Sequence, residues 1–157
     1  GGAIAATLVQ DWLANRVSTE LDITHQLLIY AGLDYTLSQP SIQQNGKGYL
    51  LEADKIRWYY DQYFCEFDDR ELCSPFWTDW LTLAHHSPHA LPKTLHISAG
   101  YCPLRDEDMS YHEQLIKAGA DSHLLHFADM IHAFMNMENL CPEQCQRLYQ
   151  AIGDFVS

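Results

Sequence analysis

The segment from Leu95 to Met137 constrains this chain more than any other. An apolar run at 94–100 (TLHISAG) is followed by a helix-compatible stretch over 106–118, a turn at Ala118-Gly119 and a second run at 121–127 (DSHLLHF). Strand, helix and strand in this order predict a right-handed crossover joining two parallel neighbours of one sheet. Upstream, 25–33 (HQLLIYAGL) reads as a buried parallel strand, because strands covered on both faces are apolar throughout. The predicted fold is α/β, in three layers, with a small parallel sheet flanked by helices.

Helical spacing is present over 3–16, where Ile4, Leu8, Trp12 and Leu13 would share one stripe. A strongly aromatic helix is expected over 51–64, a short one near 78–84, and a last one over 142–156, opened by Pro142. Residues 35–90 are expected to form a helical aromatic insert within one domain spanning 1–157. Such an insert either packs as a layer on the sheet or covers a pocket as a lid.

Composition narrows the partners. A formal net charge of −12 argues against nucleic acid, which needs clustered Lys and Arg, and against anionic membrane surfaces. No apolar run approaches the roughly 20 residues that span a bilayer. Cys65, Cys73, Cys102, Cys141 and Cys145 lack the spacing of a disulfide scaffold, which points to a reducing cytoplasm. Cys141 and Cys145 lie one helical turn apart, but no C-x-x-C or H-x-x-x-H partner is near, so no metal is expected.

Two places carry candidate chemistry. His132 follows the last strand, between Met130-Ile131 and Ala133-Phe134. A general base needs such a loop position at the carboxyl end of a sheet, although a lone loop histidine is more often structural. Thirty residues earlier (132 − 102), Cys102-Pro103 leads into a helix whose first turn holds Arg105, Asp106, Glu107 and Asp108. Acidic groups there suit the helix dipole, and one of them could instead hold the histidine.

In order along the chain, these residues resemble the carboxyl-terminal half of an α/β-hydrolase of the hormone-sensitive-lipase-like esterase family. Gly1-Gly2-Ala3-Ile4-Ala5-Ala6 is similar to the run after that family's nucleophile elbow, GDSAGG. Leu27 to Tyr30 followed by Asp34 resembles its sixth strand, and Asn45 to Leu51, Trp58-Tyr59-Tyr60, Tyr63 and Ser74-Pro75 resemble the segment after it. Leu91-Pro92 with Leu95 to Ala99 resembles the seventh strand. Cys102-Pro103-Leu104-Arg105-Asp106-Glu107 matches DPLRDE except at its first residue, and His132-Ala133-Phe134 resembles HGF.

The resemblance implies strands six to eight of the hydrolase sheet and carboxylic-ester hydrolysis, with no cofactor. It makes His132 the general base and puts Cys102 at the acid position, with Asp106 a possible substitute acid. A Cys102-His132 nucleophilic pair is a remote alternative. Gly1, Gly2, Trp58, Tyr63 and Phe134 would contact substrate, with Tyr59, Phe76 and Trp77 part of the same aromatic wall. Ala133, in place of a usual glycine, would crowd the histidine loop. The elbow serine and the HGGG-type oxyanion segment would precede Gly1, so the chain alone is expected to lack serine-esterase activity. The strand at 25–33 would then expose an apolar edge, and such edges recruit partners. Pairing with the missing half, which would complete a site for a small-molecule ester, or homo-oligomerisation is the expectation. A non-catalytic remnant that binds or assembles is the alternative function.

Overall fold

The computed structural model describes residues 1–17, 20 and 22–157. Its elements, in chain order, are α1 (Gly2–Leu13), β1 (His25–Ile29), α2 (Pro40–Gln44), α3 (Ala53–Tyr63), α4 (Arg70–Cys73), a 3-10 turn at Pro75–Trp77, α5 (Trp80–His86), β2 (Lys93–Tyr101), α6 (Arg105–Lys117), β3 (Ser122–Ile131), a 3-10 turn at Phe134–Asn136 and α7 (Pro142–Val156). The three strands form one parallel sheet in the order β1-β2-β3. Helices cover both faces, as the sequence pattern requires of parallel strands. No helix among the described residues is long and apolar enough to cross a membrane.

Alternation along each strand sorts its side chains into two cores. Leu27, Ile29, Leu95, Ile97, Ala99, Leu125 and Phe127 pack with Cys145, Leu148, Ile152 and Phe155 of α7, together with Ile42 of α2 and Ala53 and Ile56 of α3. On the opposite face, Leu28 meets Ala6, Val9, Trp12 and Leu13 of α1, Trp80 of α5 and Tyr111 and Leu115 of α6. The expected stripe on α1 is corrected here. Trp12 and Leu13 are buried, whereas Ile4 and Leu8 are 65% and 49% exposed. The small residues do the docking instead: a Cβ on Gly2 would lie 2.4 Å from Ala31 Cβ. So close an approach brings the Ala6–Val9–Leu13 face onto the sheet and turns the bulky Ile4 and Leu8 away.

β1 is shorter than the apolar run that encodes it. Tyr30 adopts φ 33°, a conformation rare for a bulky residue, and turns the chain out of the ladder. The amides beyond it find carboxylates rather than a strand: Ala31 N donates to Asp108 and Leu33 N to Glu107. β1 pairs with β2 alone, so its outer edge has no strand partner among the described residues.

The α6-facing side of β2 is polar, which the apolar reading of 94–100 did not foresee. Thr94, His96 and Ser98 are all buried there. The His96 ring lies edge-on to Tyr111 and His112, with centroids 5.8 and 5.5 Å away. Neither ring nitrogen has a hydrogen-bond partner among the described residues. Burial, aided by His112, holds the imidazole neutral and lowers its pKa to about 3.

As the pH falls below the ordinary value of 6.5, the unfolded chain takes up a proton that the buried ring refuses until about pH 3. Stability is therefore full above pH 6.5 and is lost as the pH falls. Relative to His96→Leu, the native chain is expected to lose about 1.4 kcal/mol per pH unit between roughly pH 6 and pH 4. Urea unfolding curves for the two, measured across that range, check this; equal pH dependence would refute it.

Candidate active site

A local irregularity at the carboxyl end of the sheet builds the site. β2 and β3 pair from Thr94↔Ser122 to Ala99↔Phe127, and the next aligned pair is Tyr101↔Ile131. Two steps on β2 (101 − 99) thus oppose four on β3 (131 − 127), so β3 carries two extra residues. In an unbroken register Cys102 would stand level with Met130. The extra residues bring Cys102 and His132 level, each directly after its paired strand end. Gly100 makes room, because a Cβ there would lie 1.9 Å from Ala128 O. Bulges of this kind re-aim side chains next to functional sites.

Cys102 Sγ lies 3.3 Å from His132 Nδ1 and accepts from Leu104 N–H at 3.4 Å. The thiol is fully buried, and burial pushes its pKa well up, so it stays protonated. Burial also lowers the His132 pKa below the usual imidazole value. Tyr30 covers one side of the ring at 4.9 Å between centroids, and burial pushes its phenol up to about 12. The surroundings of His132 therefore hold it neutral. Ala133 sits in the left-handed region, φ 65° and ψ 19°. Glycine suits that position because of its backbone dihedrals, and the cost of alanine there is conformational rather than a matter of crowding.

The acidic turn of α6 holds backbone elsewhere. Asp106 accepts from Ser41 N at 2.9 Å and from Arg105 Nε at 2.7 Å. Its oxygens are occupied by the α2 start and by its neighbour, and no bond joins it to His132. Glu107 and Asp108 are fully buried beneath the turn after β1. Burial raises both carboxyls well above their usual range, against the opposing pull of the amides of Leu33, Asp34 and Ala31. Asp34 behaves oppositely. Burial would raise it, but the hydroxyls and amides of Ser38 and Thr36 outweigh burial and hold it low.

His132 opens onto a cavity of about 520 Å³. Its wall comes from Gly1, Gly2, Ile29, Tyr30, Leu104 and the cavity face of α3. That face is Ile56, Tyr59, Tyr60 and Tyr63, at spacings of three, four and seven. Of the residues expected to contact substrate, Gly1, Gly2 and Tyr63 line the cavity. Trp58 does not: it is 57% exposed and stacks edge-on with Tyr59. Tyr63 is five positions further on, about 140° around a helix, so the two do not share a face. Phe134 is buried beneath the site, against Tyr30 and Phe127. Phe76 belongs to the α1-side core, and Trp77 Nε1 donates to Asp34 at 3.1 Å. The sequence reading missed Tyr35, Tyr60, Ile56 and Leu104; the spacing within α3 could have found Ile56 and Tyr60. Cys141 and Cys145, 3.8 Å apart between sulfurs, both donate to Phe134 O in the turn after His132.

Sheet order, the paired loops at its carboxyl end and the helical wall define the histidine-bearing side of an α/β-hydrolase. A family described as the alpha/beta hydrolase fold matches residues 1–136. The chain belongs to that family, in its hormone-sensitive-lipase-like branch. It is 31% identical over 153 residues to an ethyl acetate hydrolase of Pseudomonas putida, covering 97% of this chain and 46% of that protein. It is 30% identical over 124 residues to a gibberellin receptor of Arabidopsis thaliana, covering 76% and 34%. A solved ester hydrolase from the Lake Arreo metagenome, complexed with a bipyridine phosphonate derivative, superposes with a TM-score of 0.83 at 26% identity, covering 99% and 47%. The chain thus spans about half the length or less of the relatives it matches.

Two substitutions check this anatomy. Gly100→Ala is expected to cost about 1–3 kcal/mol in chemical denaturation, since the new methyl must displace the β3 backbone. A neutral result would show that the two strands do not approach as described. Ala133→Gly is expected to stabilise by about 0.5–1 kcal/mol, relief of the left-handed alanine exceeding the extra entropy of glycine in the unfolded chain. A loss of stability in the same measurement would contradict the assigned dihedral.

Proposed function

We propose that this chain is the base-side half of a carboxylic-ester hydrolase and does not turn over esters by itself. The observation that carries the reading is the thiol of Cys102, 3.3 Å from His132 Nδ1, where the resembled DPLRDE motif has a carboxylate. Serine attack needs an alcohol, a base within reach and donors for the oxyanion. Among the described residues that line the cavity there is no serine or threonine. A neutral group in place of the orienting carboxylate costs a serine protease about 10⁴ in turnover. The ethyl acetate hydrolase among the relatives supports an ester with a short acyl chain as the substrate class of the completed architecture, and the tyrosine-rich cavity suits one. The unpaired outer edge of β1 supports pairing with an amino-terminal half or with a second copy of the chain.

A second reading, binding without hydrolysis, is favoured by one observation. The cavity is kept while the carboxylate beside the histidine is not. The receptor among the relatives supports it.

Assays with p-nitrophenyl acetate and p-nitrophenyl butyrate test the first reading. The chain and its His132→Ala variant are expected to hydrolyse both at the same background rate. Turnover that disappears with His132 would overturn the claim of inactivity.

A further inference from the structure

Resting on that reading, we propose that Cys102 fixes His132 as the Nε2–H tautomer, so that the imidazole donates a hydrogen bond into the cavity, to the carbonyl oxygen of an uncharged small molecule, instead of acting as a base. Cys102 Sγ already accepts from Leu104 N–H at 3.4 Å, and sulfur is a weak acceptor. The sulfur lies 3.3 Å from His132 Nδ1, and with its weak accepting capacity already used by an amide it is better placed to donate its S–H there than to accept a second bond. A thiol proton directed there requires a bare lone pair on Nδ1. Neutral imidazole carries one N–H, which then resides on Nε2. A carboxylate at position 102 would impose the opposite arrangement: it accepts from Nδ1–H and leaves Nε2 bare to take a proton. One side chain thus reverses the polarity of the ring nitrogen on the cavity side.

No nearby acid restores the other tautomer. Asp106 is bonded to Ser41 and Arg105, Glu107 to Leu33 and Asp34, and Asp108 to Ala31. Tyr30, tilted against the ring at 4.9 Å between centroids, is held neutral by burial and adds no charge beside it. The occupant follows from the walls. A space of about 520 Å³ between Ile29, Ile56, Leu104 and three tyrosines of α3 takes a small, mostly apolar body. The net charge of −12 opposes an anion. A neutral ester, amide or ketone oxygen is the acceptor that remains.

Long-range proton–nitrogen correlation spectra of the ¹⁵N-labelled chain near neutral pH test this. The native chain is expected to show a protonated Nε2 and a bare Nδ1 at His132, and Cys102→Asp the reverse. Titration with 4-phenylbutan-2-one, a ketone without a leaving group, is expected to shift the Nε2–H signal saturably, and this shift is lost in Cys102→Asp. A native Nδ1–H tautomer, or a thiolate–imidazolium pair with both nitrogens protonated, overturns the proposal. So does a native spectrum that the ketone leaves unchanged. If Cys102→Asp does not fold, the native spectra decide alone. Failure here is distinct from failure of the preceding reading, which falls only to His132-dependent turnover.

Discussion

Two extra residues in β3, tolerated because Gly100 has no side chain, set where everything at the carboxyl end of the sheet stands. They align Cys102 with His132 and let Tyr30 lie against the imidazole. Parallel strands normally advance together, so loops that follow them are offset by whatever register the ladder imposes. Here the ladder is broken once, and the break brings a thiol and an imidazole within 3.3 Å. The chemistry of the pair then follows from dielectric. Burial disfavours charge on both partners, and a neutral pair is what the surroundings support.

The second constraint is the carboxylate pair in the first turn of α6. Glu107 and Asp108 take the amides that Tyr30 turns out of the sheet, and so hold the segment from Ala31 to Asp34 against the helix. Unpaired buried amides are costly, which explains acids at positions where burial raises their pKa. That segment is also cavity wall, since Ala31 and Gly32 line it, as does Tyr35 just after it. Strand termination and pocket shape therefore share one set of hydrogen bonds.

Much of the fold was legible in the residues. The three parallel strands and the helices at 106–118 and 142–156 follow from apolar periodicity and from Pro142, whereas α2 and α4 lie in stretches without such a pattern. The resemblance of Cys102-Pro103-Leu104-Arg105-Asp106-Glu107 and His132-Ala133-Phe134 to two family motifs indicated the α/β-hydrolase family, which the match over residues 1–136 establishes. Other features depend on partners distant in sequence. Ile4 and Leu8 look like a core stripe until Gly2 is seen packed on Ala31. His96 looks like one member of an apolar strand until α6 lies over it. Asp106 looks like a free acid until Ser41, 65 residues away, takes it. Trp58, like the missed Ile56 and Tyr60, is an error that local geometry could have prevented, because helical spacing alone sorts these residues relative to Tyr63.

Asp34 lies just before the cavity residue Tyr35. Its carboxylate receives five donors: the amides and hydroxyls of Thr36 and Ser38, and the indole of Trp77. So many bonds leave it no valence for a visitor, and they stiffen the stretch behind Tyr35. A stiff wall needs little further ordering when the space beside it fills. For the ligand proposed above, a rigid boundary would add discrimination by size and contour to the hydrogen bond from His132, because it turns bulky molecules away where a pliant one would reshape around them.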